Sequence, residues 1–228
     1  MKWTENRLYM ADLMVRTAHH STAIEGNTLT LGDSRSILIN GIVPAKARPL
    51  REIFEVANYK NLMPFLHNHY EEAITYPLIR DIHRILLQNI DPHAGQFKIS
   101  RNMILGASFL PVPPSQVIPS LLRWSDNLEY RLKQAERKDE KVEIIMDSHI
   151  KFEKIHPFSD GNGRTGRALI VFACAREGIL PIVIEKEQRD EYISLLNRED
   201  VKGLSEMARI LQEKEYVRWE RASQCTEQ

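Results

Sequence analysis

The chain has 228 residues with 31 basic and 31 acidic side chains, so its formal net charge is zero. A balanced chain has no general attraction to nucleic acid or to an anionic membrane, and neither is expected as a partner. Any phosphate site must therefore be local. Because no linker, repeat or low-complexity tract divides the sequence, one soluble domain is expected.

The cysteines and the N-terminus bear on the cellular compartment. Two cysteines at unrelated positions do not suggest a disulfide framework, so a reducing compartment is expected. The first residues contain no secretory h-region, and no apolar run reaches the roughly 18 residues of a membrane span. The sequence therefore predicts a cytoplasmic protein, and it leaves open whether the chain forms a homodimer.

Helical periodicity dominates the sequence. Apolar residues at helical spacing between positions 8 and 18 predict an N-terminal helix. Thr30 and Asp33 form a capping-box pattern before a second helix, which Gly41 would end. Thr75 is expected to cap a helix whose apolar positions extend to residue 90. Further helices are predicted over residues 53–66, 121–132, 142–155, 164–176, 187–197 and 204–217.

One β element is predicted, a short hairpin at residues 102–110. Gly106 and three prolines at positions 111, 113 and 114 bound it. The pattern as a whole therefore predicts an all-α domain with a short β-hairpin.

Residues 156–167, HPFSDGNGRTGR, hold the densest concentration of reactive side chains. Gly161 and Gly163 lack a Cβ, so the amides around Asn162 can close on an anion at the start of the next helix. Arg164 and Arg167 lie three apart on one helix face, where each charge opposes the helix dipole by up to about 1 kcal/mol. The arrangement indicates a polyphosphate site, with ordinary surface arginines as the alternative.

His156 and Asp160 are candidates for the chemistry. His156 precedes Pro157, which disfavours the helical region, so a helix ending near Ile155 would present the imidazole to the turn. There it suits a general base that deprotonates a hydroxyl attacking phosphorus, with a simple helix cap as the alternative. Asp160 would repel phosphates unless Mg²⁺ lay between them. Capping of the following amides is the alternative role for Asp160 and for Asn162.

The same twelve residues resemble the signature of the Fic (Fic/Doc) family of nucleotide transferases, and every defined position of that signature is matched. A second segment, residues 21–27, is similar to the family's inhibitory motif, and its place before the core resembles the class with an N-terminal inhibitory helix. Weaker similarity extends over roughly residues 15–215. The resemblance implies a helical bundle with a hairpin flap, divided into an N-terminal inhibitory segment, residues 1–32, and a catalytic core, residues 33–228.

By this resemblance the substrate nucleotide is ATP, held with Mg²⁺ on Asp160. The implied nucleotide contacts are Gly161, Asn162, Gly163, Arg164, Thr165, Gly166 and Arg167, with Tyr192 near the adenine. The implied flap, which pairs with a segment of a protein substrate, is Met103, Ile104, Leu105 and Gly106. A plain structural hairpin is the alternative to a flap. Glycine at position 163 accompanies AMP transfer in the family, whereas lysine there accompanies phosphoryl transfer.

The inhibitory motif comprises Ser21, Glu25 and Gly26. Ser21 and Glu25 lie four apart on one helix face, and Gly26 is expected to remove bulk beyond the carboxylate. In the family this Glu pairs with the second signature arginine, here Arg167, and blocks the γ-phosphate; an ordinary exposed glutamate is the alternative. In some relatives the same Glu also serves in removal of AMP.

The resemblance therefore implies an autoinhibited protein adenylyltransferase that modifies a Ser, Thr or Tyr hydroxyl of a target or of itself. Two other functions stay open: transfer of another nucleotide, phosphocholine or a phosphoryl group by the same fold, and a binding module with a regulatory nucleotide site. The other histidines show no metal-ligand spacing, and most are expected in solvated or capping roles. They are His19, His20, His67, His69, His83, His93 and His149.

Overall fold

A computed structural model describes residues 3–45, 47–103 and 109–225. Over this part of the chain the fold is all helical, as predicted, and no described residue belongs to a β-strand. The α-helices are α1 (Arg7–Ile24), α2 (Leu31–Arg35), α3 (Leu50–Ala57), α4 (Tyr59–His69), α5 (Tyr76–Leu86), α6 (Val117–Gln134), α7 (Lys138–Ile155), α8 (Asn162–Arg176), α9 (Arg189–Asn197) and α10 (Val201–Gln224). None of these described helices is both long and apolar enough to cross a bilayer.

The helix that follows the glycine turn lies at the centre of the bundle. α8 is buried along almost its whole length, from Asn162 to Cys174. It packs against α5 and α7, and α7 also packs against α6 and α10. The helix predicted at residues 164–176 is therefore present, and it begins two residues earlier, at Asn162.

The N-terminal helix is anchored to the other end of the chain. Trp3 Nε1 donates to the carbonyl oxygen of Ile179 (2.8 Å). The Tyr9 hydroxyl and Arg16 Nη2 both donate to Glu215 Oε2, at 2.6 and 2.9 Å. These groups are buried, so removing one partner would leave another without full compensation. α1 is therefore held on α10 by a polar network as well as by apolar packing.

The segment after α1 follows the predicted capping pattern. Thr30 Oγ1 accepts from the amide of Asp33 (3.1 Å), and Asp33 Oδ2 accepts from the amide of Thr30 (3.0 Å). α2 continues into a π-helical turn, Ser36–Asn40, and Gly41 ends it in the left-handed conformation with φ 70°. The capping box and the glycine stop are thus both confirmed.

Some predicted boundaries were wrong. The single helix expected at residues 53–66 is two helices, separated at Asn58. The amide group of Asn58 donates to the main-chain carbonyls of Leu86, the last residue of α5, and of Gln88 (2.9 and 2.8 Å). α5 ends at Leu86 rather than near residue 90, since Asn89 takes a left-handed backbone with φ 62°. Thr75 occupies the N-cap position of α5, but its side chain makes no capping hydrogen bond.

Most of the predicted hairpin at residues 102–110, namely residues 104–108, lies outside the described residues. Of the implied flap, Ile104, Leu105 and Gly106 lie outside the described residues. Met103 is described and highly exposed, and neither it nor residues 109–110 are in a strand. The flap therefore stays a prediction.

Candidate active site

His156 stands at a sharp exit from α7. Its backbone is left-handed, with φ 48° and ψ 62°, and its amide still donates to the carbonyl of Phe152 (3.0 Å). A non-glycine residue in this region costs on the order of 1–3 kcal/mol, and Pro157 also disfavours continuation of the helix. Burial, reinforced by the charge of Lys98, lowers the pKa of His156 to about 4. The imidazole is therefore neutral near pH 7 and able to accept a proton.

The turn after His156 is closed by the side chain of Asn162. Asn162 Oδ1 accepts from the amide of Phe158, and its Nδ2 donates to the carbonyl of the same residue, both at 2.9 Å. Gly161 is the N-cap residue of α8, with φ 75° and no side-chain capping bond. The alternative of Asn162 as the N-cap is therefore wrong, because it is the first residue of the helix and its amide group braces the loop.

The main chain at the start of α8 leaves donors for an anion. The amide of Thr165 donates to the carbonyl of Gly161 (3.0 Å), and the Thr165 hydroxyl donates to the same oxygen (2.9 Å). The amides of Asn162, Gly163 and Arg164 precede that bond, and the first amides of a helix have no partner one turn earlier. These amides are placed to donate to an anion, and the predicted phosphate site stays a prediction.

His83 supports this turn from α5, and the sequence did not indicate it. Its Nδ1 accepts from the amide of Gly95 (2.8 Å), so in the neutral ring Nε2 carries the proton and donates to the carbonyl of Asp160 (3.0 Å). Its ring stacks on Phe158 at 3.7 Å. A Cβ at Gly161 would lie 2.5 Å from Leu87 Cδ2 and 3.2 Å from His83 Nε2. His83 is therefore an exception to the solvated or capping roles expected for most of these histidines.

Both signature arginines are buried, which excludes the alternative of surface charges. Arg164 is 2% exposed, and its Nη1 donates to Glu55 Oε1 of α3 (3.1 Å) while Nη2 donates to Asp160 Oδ1 (3.2 Å). Arg51, also on α3, donates to Asp160 Oδ2 (2.6 Å) and to Glu55 Oε1 (3.1 Å). Carboxylates thus hold Arg164 in place, and Arg51 and Glu55 are site residues that the sequence did not reveal.

Arg167 is bound by the C-terminal end of α1. Its Nε donates to Ser21 Oγ (3.0 Å), and its Nη2 donates to the carbonyl of Ser21 (2.9 Å) and to Glu25 Oε1 (2.6 Å). Burial disfavours the charge of Glu25, but the Arg167 guanidinium outweighs that effect and keeps the carboxyl pKa below its usual value. The carboxylate is therefore ionised at neutral pH, and the predicted pair is formed.

The two glycines near this pair have different roles. A Cβ at Gly163 would lie 2.5 Å from Glu25 Oε1 and 3.0 Å from Arg167 Nη1, so glycine lets the carboxylate reach the helix start. A Cβ at Gly26 would meet nothing within 4 Å, and the residue has φ 100°. The expected reason for Gly26, removal of bulk, was wrong. Glycine is favoured here because the backbone that ends α1 has a positive φ, which other residues rarely adopt.

A buried polar cluster lies between α7, α8 and α9. Tyr192 is 1% exposed, and its hydroxyl lies 2.7 Å from His149 Nε2. On the other side of the ring, His149 Nδ1 lies 4.0 Å from Glu153 Oε1. A Cβ at Gly166 would collide with Glu153, so Gly166 faces α7. The adenine role of Tyr192 and the phosphate role of Gly166 stay predictions. His149 is buried and is a further exception to the solvated or capping roles expected for most of these histidines.

Mg²⁺ fits this site only together with a bound polyphosphate. Within the described ranges, no group of three or more His, Cys, Asp and Glu side chains is placed to hold a metal ion. Burial opposes the charge of Asp160, but Arg164 and Arg51 outweigh it and keep its carboxyl pKa below the usual value. Mg²⁺ commonly takes one carboxylate and several phosphate oxygens. The half-exposed Asp160 is suited to supply that carboxylate.

Comparison with known proteins agrees with this geometry. A model of the Fic/DOC family matches residues 73–174. Protein adenylyltransferase fic-1 of Caenorhabditis briggsae is 34% identical over 202 residues, which cover 85% of this chain and 38% of that protein. Protein adenylyltransferase Fic of Drosophila willistoni is 32% identical over 190 residues, which cover 81% of this chain and 37% of that protein. Residues 73–174 therefore carry a Fic/DOC domain.

Solved structures extend the likeness beyond the matched domain. The Fic domain containing signaling protein from Bacteroides thetaiotaomicron has a TM-score of 0.83 at 22% identity, covering 97% of this chain and 94% of that one. Fic-1 of Caenorhabditis elegans, residues 134–508, has a TM-score of 0.79 at 31% identity, covering 95% and 65%. The Fic fold therefore includes nearly the whole described chain, which spans under two fifths of the curated relatives named above.

Proposed function

We propose that this Fic/DOC chain is a protein adenylyltransferase, which transfers AMP from ATP to a Ser, Thr or Tyr hydroxyl of a protein. One observation carries the proposal: a neutral imidazole, His156, stands at one end of a turn, and a helix start with two buried arginines stands at the other. The names of the curated relatives support the same activity.

In the proposed reaction, the target hydroxyl attacks the α-phosphorus of ATP and gives its proton to His156. A new phosphorus–oxygen bond forms, the bond to the β-phosphate oxygen breaks, and pyrophosphate leaves. The first amides of α8 and Arg164 would bind the phosphates, and Arg167 would hold the γ-phosphate once it is free. Mg²⁺, shared by Asp160 and the phosphates, would offset negative charge on the leaving group.

We further propose that Glu25 restrains this activity. Nε and Nη2 of Arg167 donate to Ser21 and Glu25, so part of the guanidinium that would hold the γ-phosphate is already occupied. The carboxylate also adds negative charge beside Gly163, where a phosphate would approach. The restraint is reversible, because the Glu25 side chain is 40% exposed and can rotate away without opening the core.

The target segment would bind along the segment that follows Lys98. Ile99, Met103 and Leu110 are large apolar side chains, 92%, 82% and 74% exposed, on both sides of the undescribed flap. Three exposed apolar side chains near one loop support a binding surface there, provided that they form one patch. A target strand laid on the flap would cover them.

Mass spectrometry after incubation with ATP tests the proposal. We expect a protein, either an added target or the chain itself, to gain the mass of AMP. His156→Ala should reduce the initial rate by about 10²–10⁴-fold, the usual contribution of a positioned general base. The matched control is His93→Ala, whose side chain is 69% exposed and lies far from α8 in sequence. A gain of only a phosphoryl group would instead establish phosphoryl transfer, and no gain from Glu25→Gly would indicate a binding module.

A further inference from the structure

Lys98 is a buried cation beside the loop that carries His156. The residue is 4% exposed, and its Nζ donates to Asn102 Oδ1 (2.8 Å) and, at a longer 3.4 Å, to the carbonyl of Ile155. Its amide donates to the carbonyl of Pro157 (2.9 Å). In the part of the chain that the structure describes, no carboxylate forms an ion pair with it. Lys98 thus contacts the main chain on both sides of His156.

A buried ammonium without a carboxylate partner is costly to maintain. Two neutral oxygens compensate for only part of the lost hydration, and a methylene chain with a neutral end would avoid the cost. Burial lowers the pKa of Lys98 to about 8, so the group is still mostly charged near pH 7. The cost of burying this ammonium indicates that its charge has a role that a neutral side chain at this position would not fill.

The charges around His156 define that use. Glu25 of α1 and Asp160 of the turn both favour the imidazolium, as does the carbonyl of Glu153 on its own helix. Lys98 is a cation, and it acts in the opposite direction by lowering the pKa of His156. A bound polyphosphate would add further negative charge beside the imidazole. Loss of Lys98 would therefore add to any rise in the pKa of His156 that the bound nucleotide causes.

We propose that Lys98 is a positioning residue for the base: its hydrogen bonds hold the loop on which His156 stands, and its ammonium opposes protonation of His156 while the negative nucleotide is bound. This inference rests on the proposed function only for the role of His156 as the base. The electrostatic coupling itself is a property of the free chain.

Imidazole NMR of the full chain, labelled with ¹⁵N, measures the coupling directly. The His156 signals are assigned by their loss in His156→Gln. In Lys98→Met, which keeps the side-chain length, we expect the apparent pKa of His156 to rise by on the order of one pH unit. A non-hydrolysable ATP analogue should enlarge that rise. In Lys98→Arg, which keeps the charge, the pKa should stay near its wild-type value.

The variant Asn102→Ala distinguishes the effect of the Lys98 charge on the pKa of His156 from the effect of moving the loop. Asn102 accepts from Lys98 and donates to the carbonyl of Phe158 (2.9 Å), so this variant loosens the same contacts and leaves the ammonium in place. The pKa of His156 should not move in it. An unchanged pKa in Lys98→Met, or an equal rise in Asn102→Ala, would overturn the proposal. Lys98→Gln provides a second neutral variant if Lys98→Met shows a lower thermal midpoint.

The pH dependence of AMP transfer provides the catalytic readout. Measured with Glu25→Gly to remove the restraint, the acid limb should move to higher pH with Lys98→Met and return with Lys98→Arg. A structural role alone would lower the rate equally at every pH. If no AMP is transferred at all, the proposed function fails, and the NMR titration still decides whether Lys98 controls the protonation of His156.

Discussion

Replacing Glu25 by glycine should activate transfer of AMP. The structure shows which contact is lost: Glu25 Oε1 lies 2.6 Å from Arg167 Nη2, while the two bonds from Arg167 to Ser21 remain. Arg167 is nearly buried, but the Glu25 side chain is 40% exposed. The change therefore frees one guanidinium donor and removes one negative charge from the phosphate site, without opening the core.

The magnitude follows from that exposure. A hydrogen bond between charged groups contributes about 1.5–3 kcal/mol, and solvent screening of a partly exposed pair reduces it. About 1–2 kcal/mol is a reasonable expectation, which corresponds to a five- to thirty-fold increase in productive ATP occupancy. Glu25→Gln, which keeps the shape but not the charge, should give a smaller increase.

Initial rates with labelled ATP below saturation provide the assay. Glu206→Gln, an exposed glutamate on α10, serves as the matched control and should match the wild type. Arg167→Ala should not activate, because it removes the phosphate ligand together with the partner of Glu25. Equal rates for the wild type and Glu25→Gly would refute the restraint. Activity in Glu25→Gly combined with His156→Ala would show that the gain does not depend on the proposed base.

Three further changes test other parts of the site and fold. Asp160→Asn should weaken Mn²⁺ binding to the ATP complex about tenfold or more, measured by electron paramagnetic resonance, with ATP binding in EDTA as the control. Burial lowers the pKa of His83 to about 4. As the pH falls, the unfolded chain protonates this histidine before the folded chain does, so the free energy of unfolding should fall between about pH 6.5 and 4. In urea titrations, His83→Gln should reduce this dependence of the free energy of unfolding on pH. Arg16→Met should reduce the free energy of unfolding by about 3 kcal/mol, and adding Glu215→Gln should recover part of it; an additive loss would contradict the pairing.

The sequence was most informative where function imposes a local pattern. The turn and the first helical residues of α8 are contiguous, so their anion-binding geometry could be predicted from glycines and arginines alone. The contact between Glu25 and Arg167 joins residues 142 apart, and only the resemblance to a family motif made it predictable. Helical spacing placed Ser21 and Glu25 on one face, but it did not indicate what that face would touch.

The supporting residues left no comparable signal. Arg51 and Asp160 are 109 residues apart, and His83 and Asp160 are 77 apart. Neither Arg51 nor His83 belongs to a motif, and each looks like an ordinary residue of an amphipathic helix. His149 and Glu153 lie four apart on α7, so helical spacing could have placed them together. That they face α8 depends on packing between helices, which local periodicity does not determine.

The anchoring of α1 has a consequence for the order of events during synthesis. Arg16 and Glu215 are separated by 199 residues, and Trp3 and Ile179 by 176. The ribosome therefore releases the helix that carries Glu25 long before its docking partner on α10 exists. A nascent chain that ends after α8 already contains residues 156–167, but it lacks α10, which holds α1 in place. The proposed restraint on Arg167 would thus reach its final strength only when α10 folds, and a protease that cuts within α10 would weaken it.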